Sequence, residues 1–562
     1  MSPAAALLVA ATTVVAPQPP TPLVAAEQPP TPLVAAEQPP TPLVAAEHDP
    51  EYRAALDLLY DGRGAECQAR LDALEAKHPD DPVPVYLQAL ALEWALEQRP
   101  ESTELDRAVE QAAERAWTAA DARLRKDGSD ARARFARGAA SGVRSRYHLF
   151  RLHRAEAARA AAQMREDLLL ARARDPQDAD VQFGLGLYDY YVDVLPRFAR
   201  VLRFLAGLPS GNRARGLAAI ARAARSARLH AVEAQAQLYE IHAFYEDDPD
   251  RAAEEMEALV RHYPGWPLWP LKLAEHLRDR LGDYAGSEAV TRALIHRADD
   301  PRAAAGPGAV ALARLSLART LLLDLRPDDA RRVLIPVEDG LPGSPSVGAQ
   351  ARLLLGRSLE LDGDRDAAVA HYRVAAASAD PEWRRRAQDS LRHPLAAEEV
   401  SARRALVALR RAREAGRAEE AAARAREVLA AWPLSREAAL AAAEEDLHAG
   451  RPGRLRVPEV EEARGDEPAW LVPWSRLLRA QAADLAGDRE AAVILYKKVY
   501  ASARRRAELR REAAEGLRTP FRAETPRAAP SAPAGTRGTS LPTAPGAGFL
   551  AVPRFSTATS TG

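Results

Sequence analysis

A chain of 562 residues exceeds one ordinary globular core, so it forms several domains or one elongated array. Its residues are 47% apolar but only 6% aromatic, so the apolar mass is mostly Ala, Leu and Val; with hairpin signals nearly absent, this argues against a β-rich fold and predicts an all-α protein. The net charge of −1 gives no global pull toward nucleic acid or an anionic membrane, and the single cysteine, Cys67, excludes an internal disulfide and any multi-cysteine metal centre.

The first segment, 1–17, is "MSPAAALLVAATTVVAP", an apolar run too short to span a bilayer. It resembles a secretory h-region with a small residue at Ala16, although no Lys or Arg precedes it and Pro17 follows it. Periplasmic or exported placement is the expectation, and cytoplasmic placement is the alternative. Residues 18–48 form a Pro-rich linker built from three identical copies of "QPPTPLVAAE", whose Pro-Pro-Thr-Pro core favours an extended spacer.

From 49 to 516 the chain reads as helical, and one spacing recurs in it. A small residue is followed twelve later by another, then by a large apolar residue, an apolar or small one and often a proline. Ala55, Cys67, Leu71, Leu74 and Pro79 show it first. Ala318, Ala330, Leu334 and Val337 repeat it, as do Gly356, Ala368, Tyr372 and Ala375, and Ala480, Ala492, Tyr496 and Val499. Small residues let two antiparallel helices approach, a Gly-Asp pair (Gly363-Asp364, Gly487-Asp488) turns the chain, and proline ends the second helix. Such a pair cannot bury its apolar face alone, so neighbours must stack. This pattern resembles the tetratricopeptide-repeat (TPR) superfamily, best over 349–382 and 473–504, with Arg352 where the family carries its first-helix Trp. The resemblance implies an α-solenoid of TPR-like antiparallel helix pairs in a bacterial protein.

The least repeat-like region is 176–270, where "FGLGLYDYYVDVLP" places Tyr188, Tyr190 and Tyr191 near Gly184 and Gly186. The three tyrosines cannot all face one way on a helix, so packing and a groove position both stay open. The order of glycines, Leu-Pro and G-x-R-x-x-G-L here also looks like a segment of a eukaryotic TPR family related to a yeast inclusion-body clearance factor. Between Val194 and Val232 there are eight arginines and no acid. Arg197, Arg200 and Arg203 fall on one face of a predicted helix over 197–206, and Arg222 and Arg225 follow. These arginines either pair with the acids between Glu233 and Glu257 or form a basic groove for an anionic ligand or membrane surface. A second arginine run, Arg132 to Arg159, with Glu156 as its single acid, would enlarge that surface. In "YPGWPLWP", Trp266 and Trp269 are read as rigid packing or as an aromatic platform.

No nucleotide loop, zinc-protease motif, nucleophile elbow or dinucleotide fingerprint is present. The twelve histidines are scattered, and His148 and His153 do not share a helical face for a metal. No catalytic residue, cofactor or metal is expected. Residues 519–562, rich in Pro, Ala, Ser, Thr and Gly, are predicted to be a disordered tail. The functional expectation is a non-enzymatic TPR-like scaffold that binds a protein partner in the bacterial cell envelope. The candidate contacts are the three tyrosines, the five arginines and the two tryptophans above. No nucleic acid and no transmembrane segment are expected, and peripheral membrane contact is left open. A cytoplasmic adaptor is the alternative.

Overall fold

The computed structural model describes residues 46–98, 103–194, 209–246, 248–297, 306–341, 345–448, 456–462, 467–503 and 506–522. Twenty-three α-helices occur among them, with two short 3-10 turns and no strand. The predicted segment 1–17, most of the linker, the helix over 197–206 and the tail from 523 lie outside the described residues.

The first series is α1 (Asp49–Tyr60), α2 (Gly64–Lys77), α3 (Val83–Gln98), α4 (Asp106–Lys126), α5 (Ala131–Phe150) and α6 (Arg154–Arg174). It continues through α7 (Ala179–Asp193), α8 (Arg213–Ser226), α9 (Ala231–Phe244), α10 (Pro249–His262) and α11 (Leu268–Asp279). Next come α12 (Tyr284–Arg297), α13 (Pro307–Leu323), α14 (Pro327–Leu334), α15 (Pro345–Leu361), α16 (Arg365–Ala376) and α17 (Pro381–Arg392). The last are α18 (Ala397–Glu414), α19 (Ala418–Ala431), α20 (Arg436–His448), α21 (Leu471–Leu485), α22 (Arg489–Ser502) and α23 (Ala507–Arg518).

Local chemistry sets many of these boundaries. Asp130, Asp178, Asp248, Asp364, Asp380 and Asp488 each stand at an N-cap and accept a backbone N–H of the first turn. Before α16, Gly363 takes a left-handed φ of 83° and Asp364 then caps Ala367, so the Gly-Asp pair turns the chain as its spacing predicts. Successive helices pack against each other except at α17 and α18, where α18 reaches back to α15, and contacts between helices two apart join α1, α3, α5 and α7 in one series and α11, α13, α15 and α17 in another. That is the contact pattern of stacked antiparallel pairs, and the chain is an all-α solenoid of TPR-like pairs. Cys67 sits fully buried in this packing, which pushes its thiol up to about 12, so it is a small core residue.

The first eleven helices do not form an open trough. One continuous core runs from Tyr52 to Leu277. The turn between α10 and α11 closes onto α1: the Tyr263 hydroxyl donates to Asp57 at 2.8 Å, and the Gly265 amide donates to Asp61 at 2.7 Å. Tyr60, Trp94, Tyr263, Trp266 and Trp269 then fill the interior with edge-on and tilted ring contacts. A second closure joins the end of the chain to the middle, where Arg506 donates to the Gly282 carbonyl at 2.7 Å and lies over the Trp470 ring.

Candidate functional site

The tyrosine run packs. Gly186 of α7 lies against α8 so closely that an added Cβ would sit 2.9 Å from the Ala219 side chain and 3.1 Å from the Gly216 carbonyl. Tyr188 and Tyr190 are buried and Tyr191 is half-buried. Their hydroxyls donate to the Pro209 carbonyl, to Glu246 at 2.6 Å and to Gln237 at 2.9 Å respectively. Tyr190, Tyr191 and Tyr245 form a mutual edge-on cluster. Trp266 and Trp269 are likewise core residues, 6% and 2% exposed, so neither offers a platform to a ligand.

The arginines separate into distinct groups. Arg197, Arg200 and Arg203 lie outside the described residues. Arg213 pairs with Glu246, the partner expected from the acidic stretch. Arg215 instead reaches back to Asp189 on α7, while Arg228 holds Asp49 and Asp178. Arg222 and Arg225 are exposed; among the described residues Arg222 donates one side-chain hydrogen bond, to Gln182 at 3.2 Å, and Arg225 acts on Glu255 through its charge alone. The run from Arg132 to Arg159 does not extend a basic surface. Arg132 binds Asp49 and Asp81, Arg134 and Arg137 bind Asp167, Arg146 binds Glu93, and Arg151 binds Asp106. The acids come from other helices and, for Asp81, from the α2–α3 turn, which is why the local sequence looked unbalanced.

At the centre of this half, Asp180, His230 and Tyr86 form a buried chain. His230 bonds Asp180 through Nδ1 at 2.9 Å and the Tyr86 hydroxyl through Nε2 at 2.5 Å. Glu233 stands 3.6 Å from the same Nε2 and accepts the Trp94 indole N–H. Burial alone would raise the Asp180 carboxyl; the bond and charge of His230 hold it below its ordinary value. Burial alone would depress His230, and Asp180 and Glu233 raise it. All three residues are below 5% exposed. The nearest cleft, between Asp49, Arg132, Asp178 and Arg228, has a volume of about 10 Å³, scarcely room for one water. The arrangement is structural.

An open site rich in both arginine and apolar side chains lies in the other half. A groove of about 550 Å³ runs along the first helices of successive pairs, α11, α13, α15, α18 and α20. Each contributes arginine: Arg278, Arg319, Arg357, Arg403 with Arg410, and Arg436. Six arginines thus line it with three carboxylates, Asp279, Glu437 and Glu467. Arg278 is bidentate to Asp279, Arg410 is bidentate to Glu437, and Arg436 binds Glu467. Arg319 differs. Among the described residues it has no ion pair, only a 3.1 Å hydrogen bond to Gln350 and the face of Trp383 at 5.7 Å. Its burial and the charges of Arg278 and Arg386 outweigh the opposing charges of Glu275 and Asp279 and lower its pKa from the ordinary arginine value.

Apolar surface adjoins this charge. Leu322, Leu354, Leu361 and Leu406 form part of the lining, and at the α19–α20 turn Trp432 is 37% and Leu434 86% exposed. The site combines excess positive charge with exposed apolar side chains, a surface suited to an acidic, amphipathic segment. The groove carried no local sequence signal, since its lining is drawn from five helices far apart in the chain. No described helix is long and apolar enough to cross a membrane.

No family model matches the chain, and no curated protein matches it in sequence. Among solved structures it is similar to yeast Tom70, at 11% identity and a TM-score of 0.27, over 84% of this chain and 89% of that one. It is also similar to a structure of Naa15/Naa10 bound to HypK-THB, at 12% identity and a TM-score of 0.16, over 84% and 79% of the two chains. The assignment of the fold rests on the helix pairing itself.

Proposed function

We propose that the chain is a non-enzymatic helical-repeat scaffold whose arginine-lined groove takes an acidic, partly apolar segment of a protein partner. The observation that carries this reading is Arg319, a half-buried cation with no ion pair among the described residues, in a groove rimmed by exposed Trp432 and Leu434. A half-buried cation whose burial outweighs the nearby charges of Glu275 and Asp279 is costly, and a carboxylate entering the groove would relieve that cost. The proposed setting is the bacterial cell envelope, supported by the apolar run that ends at Ala16.

The test uses arrayed peptides in acidic, neutral and basic sets of matched hydropathy, probed with the full chain. The acidic set should be retained, and its binding should weaken as rising salt shortens the screening length below about 8 Å. Arg319→Gln combined with Leu434→Ser should abolish retention without lowering the melting temperature. Equal binding of all three sets, or binding indifferent to the double variant, overturns the proposal.

A further inference from the structure

The α1–α2 hairpin brings together three metal-ligating side chains that are separated in sequence. His48 precedes α1, Glu51 lies three residues later on its first turn, and His78 is the C-cap of α2. One imidazole nitrogen of each histidine and one carboxylate oxygen of Glu51 all lie within 4.8 Å of one another. The two imidazole rings stack with centroids 3.7 Å apart at 24°. His78 Nε2 is shielded from solvent and has no hydrogen-bond partner among the described residues. Both oxygens of Glu51 accept from Lys77 Nζ, at 2.8 and 2.9 Å. The earlier view of the histidines as scattered therefore fails here, because an antiparallel hairpin juxtaposes residues at its open end.

We infer that His48, Glu51 and His78 form a binding site for a divalent transition-metal ion of the zinc class, with the remaining coordination position open. Two imidazoles and a carboxylate are a donor set that zinc accepts in tetrahedral geometry. Ligand atoms around zinc bonds of about 2.0–2.1 Å stand roughly 3.3 Å apart. Closing from 4.8 Å to that spacing takes side-chain rotation alone, and His48 and Glu51 keep about a third of their surface free to move. Lys77 is the built-in competitor: its ammonium occupies the carboxylate the metal needs, and it is 56% exposed and free to swing away. Loading the site would tie the residues that lead into α1 to the end of α2.

The experiment titrates the full chain with Zn²⁺ against a chromophoric chelator, and with Co²⁺ to read tetrahedral coordination from its visible absorption. The parent should bind one equivalent that His48→Ala and His78→Gln each weaken at least about tenfold, since even indirect support of a metal ligand is worth that much. Lys77→Ala should bind more tightly than the parent, a gain that misfolding cannot imitate. Affinity unchanged in the His48→Ala/His78→Gln double variant overturns the site. Equal or weaker binding in Lys77→Ala overturns Glu51 as a ligand and the three-donor site with it.

Discussion

The indole N–H of Trp269 donates to the backbone carbonyl of Tyr60 across 3.1 Å, joining α11 to the end of α1. This bond lies inside the ring of aromatics that closes the first half of the solenoid, so it couples helices that no repeat register relates. Trp269→Ala removes a side chain that is 2% exposed and opens a large cavity. The expected cost is about 3–5 kcal/mol in chemical denaturation. Trp269→Phe keeps most of the volume but leaves the carbonyl unpaired, and should cost about 1–3 kcal/mol. A change below about 1 kcal/mol for the Ala variant would mean that the closure adds nothing to stability.

The second prediction concerns Gly356 and Tyr372. An alanine Cβ at Gly356 would stand 2.4 Å from the Tyr372 ring. On propensity alone Gly356→Ala in mid-helix should stabilise by about 0.5–1 kcal/mol. Overlap with a ring held by its neighbours and by a 2.9 Å bond to Glu360 reverses that sign. Gly356→Ala should therefore lower stability by about 1–3 kcal/mol, and Tyr372→Ala by about 3–5 kcal/mol. Stabilisation by Gly356→Ala would show that α15 and α16 can separate without loss.

That pair also shows what was legible in the sequence. Gly356 and Tyr372 sit on the two helices of one pair, so their contact repeats with the chain and appears as a spacing. Gly363 and Asp364 act through local backbone chemistry, which a sequence displays directly. The closure of Trp269 on Tyr60 spans many repeats and obeys no period, so the two tryptophans could be read as surface or as core. The groove was hidden for a similar reason: Arg319 stands out because Arg278 and Arg386 flank it in space and no ion pair meets it among the described residues, and none of this is local in sequence. The run from Arg132 to Arg159 misled because its carboxylate partners, such as Asp49, Asp81 and Asp167, lie elsewhere in the fold, on other helices or in the α2–α3 turn.

The third prediction concerns pH. Asp180 is held below its ordinary value by His230, so its stabilising share is present above the unfolded carboxylate pKa of about 3.9 and fades as the pH falls below it. His230 is raised by Asp180 and Glu233, so its share is present below about 6.5 and is lost as the pH climbs through its higher folded value. Stability from this pair is therefore greatest between about pH 4 and 6.5. Denaturation of the parent across pH 3–8, compared with Asp180→Asn, should show the variant losing the acid slope and keeping a weaker alkaline one, since Glu233 still faces His230. Parallel curves would exclude an ionised pair at the centre of the coil.

The last prediction separates the arginines of the basic stretch by what each one touches. Arg222 and Arg225 are exposed and bind no carboxylate among the described residues. Changing both to Gln should alter stability by no more than about 0.5 kcal/mol. Arg228 differs, although its own side chain is 42% exposed, because its partners Asp49 and Asp178 are 2% and 8% exposed. A buried carboxylate cannot replace a lost guanidinium with water, so Arg228→Gln leaves charge uncompensated. Asp49 keeps Arg132, and the exposure of Arg228 screens part of the interaction, which brings the expected loss to about 1–3 kcal/mol. The loss should shrink in acid, once Asp178 takes up a proton. Burial, with the charge of Asp180, already holds that carboxyl above its ordinary value, so protonation begins at a higher pH than for an exposed aspartate. If all three variants unfold at the same denaturant concentration, the basic stretch is one uniform surface and its pairing has no energetic weight. If Arg222→Gln/Arg225→Gln is the more damaged protein, those two cations hold the α7–α8 packing in a way their exposure contradicts.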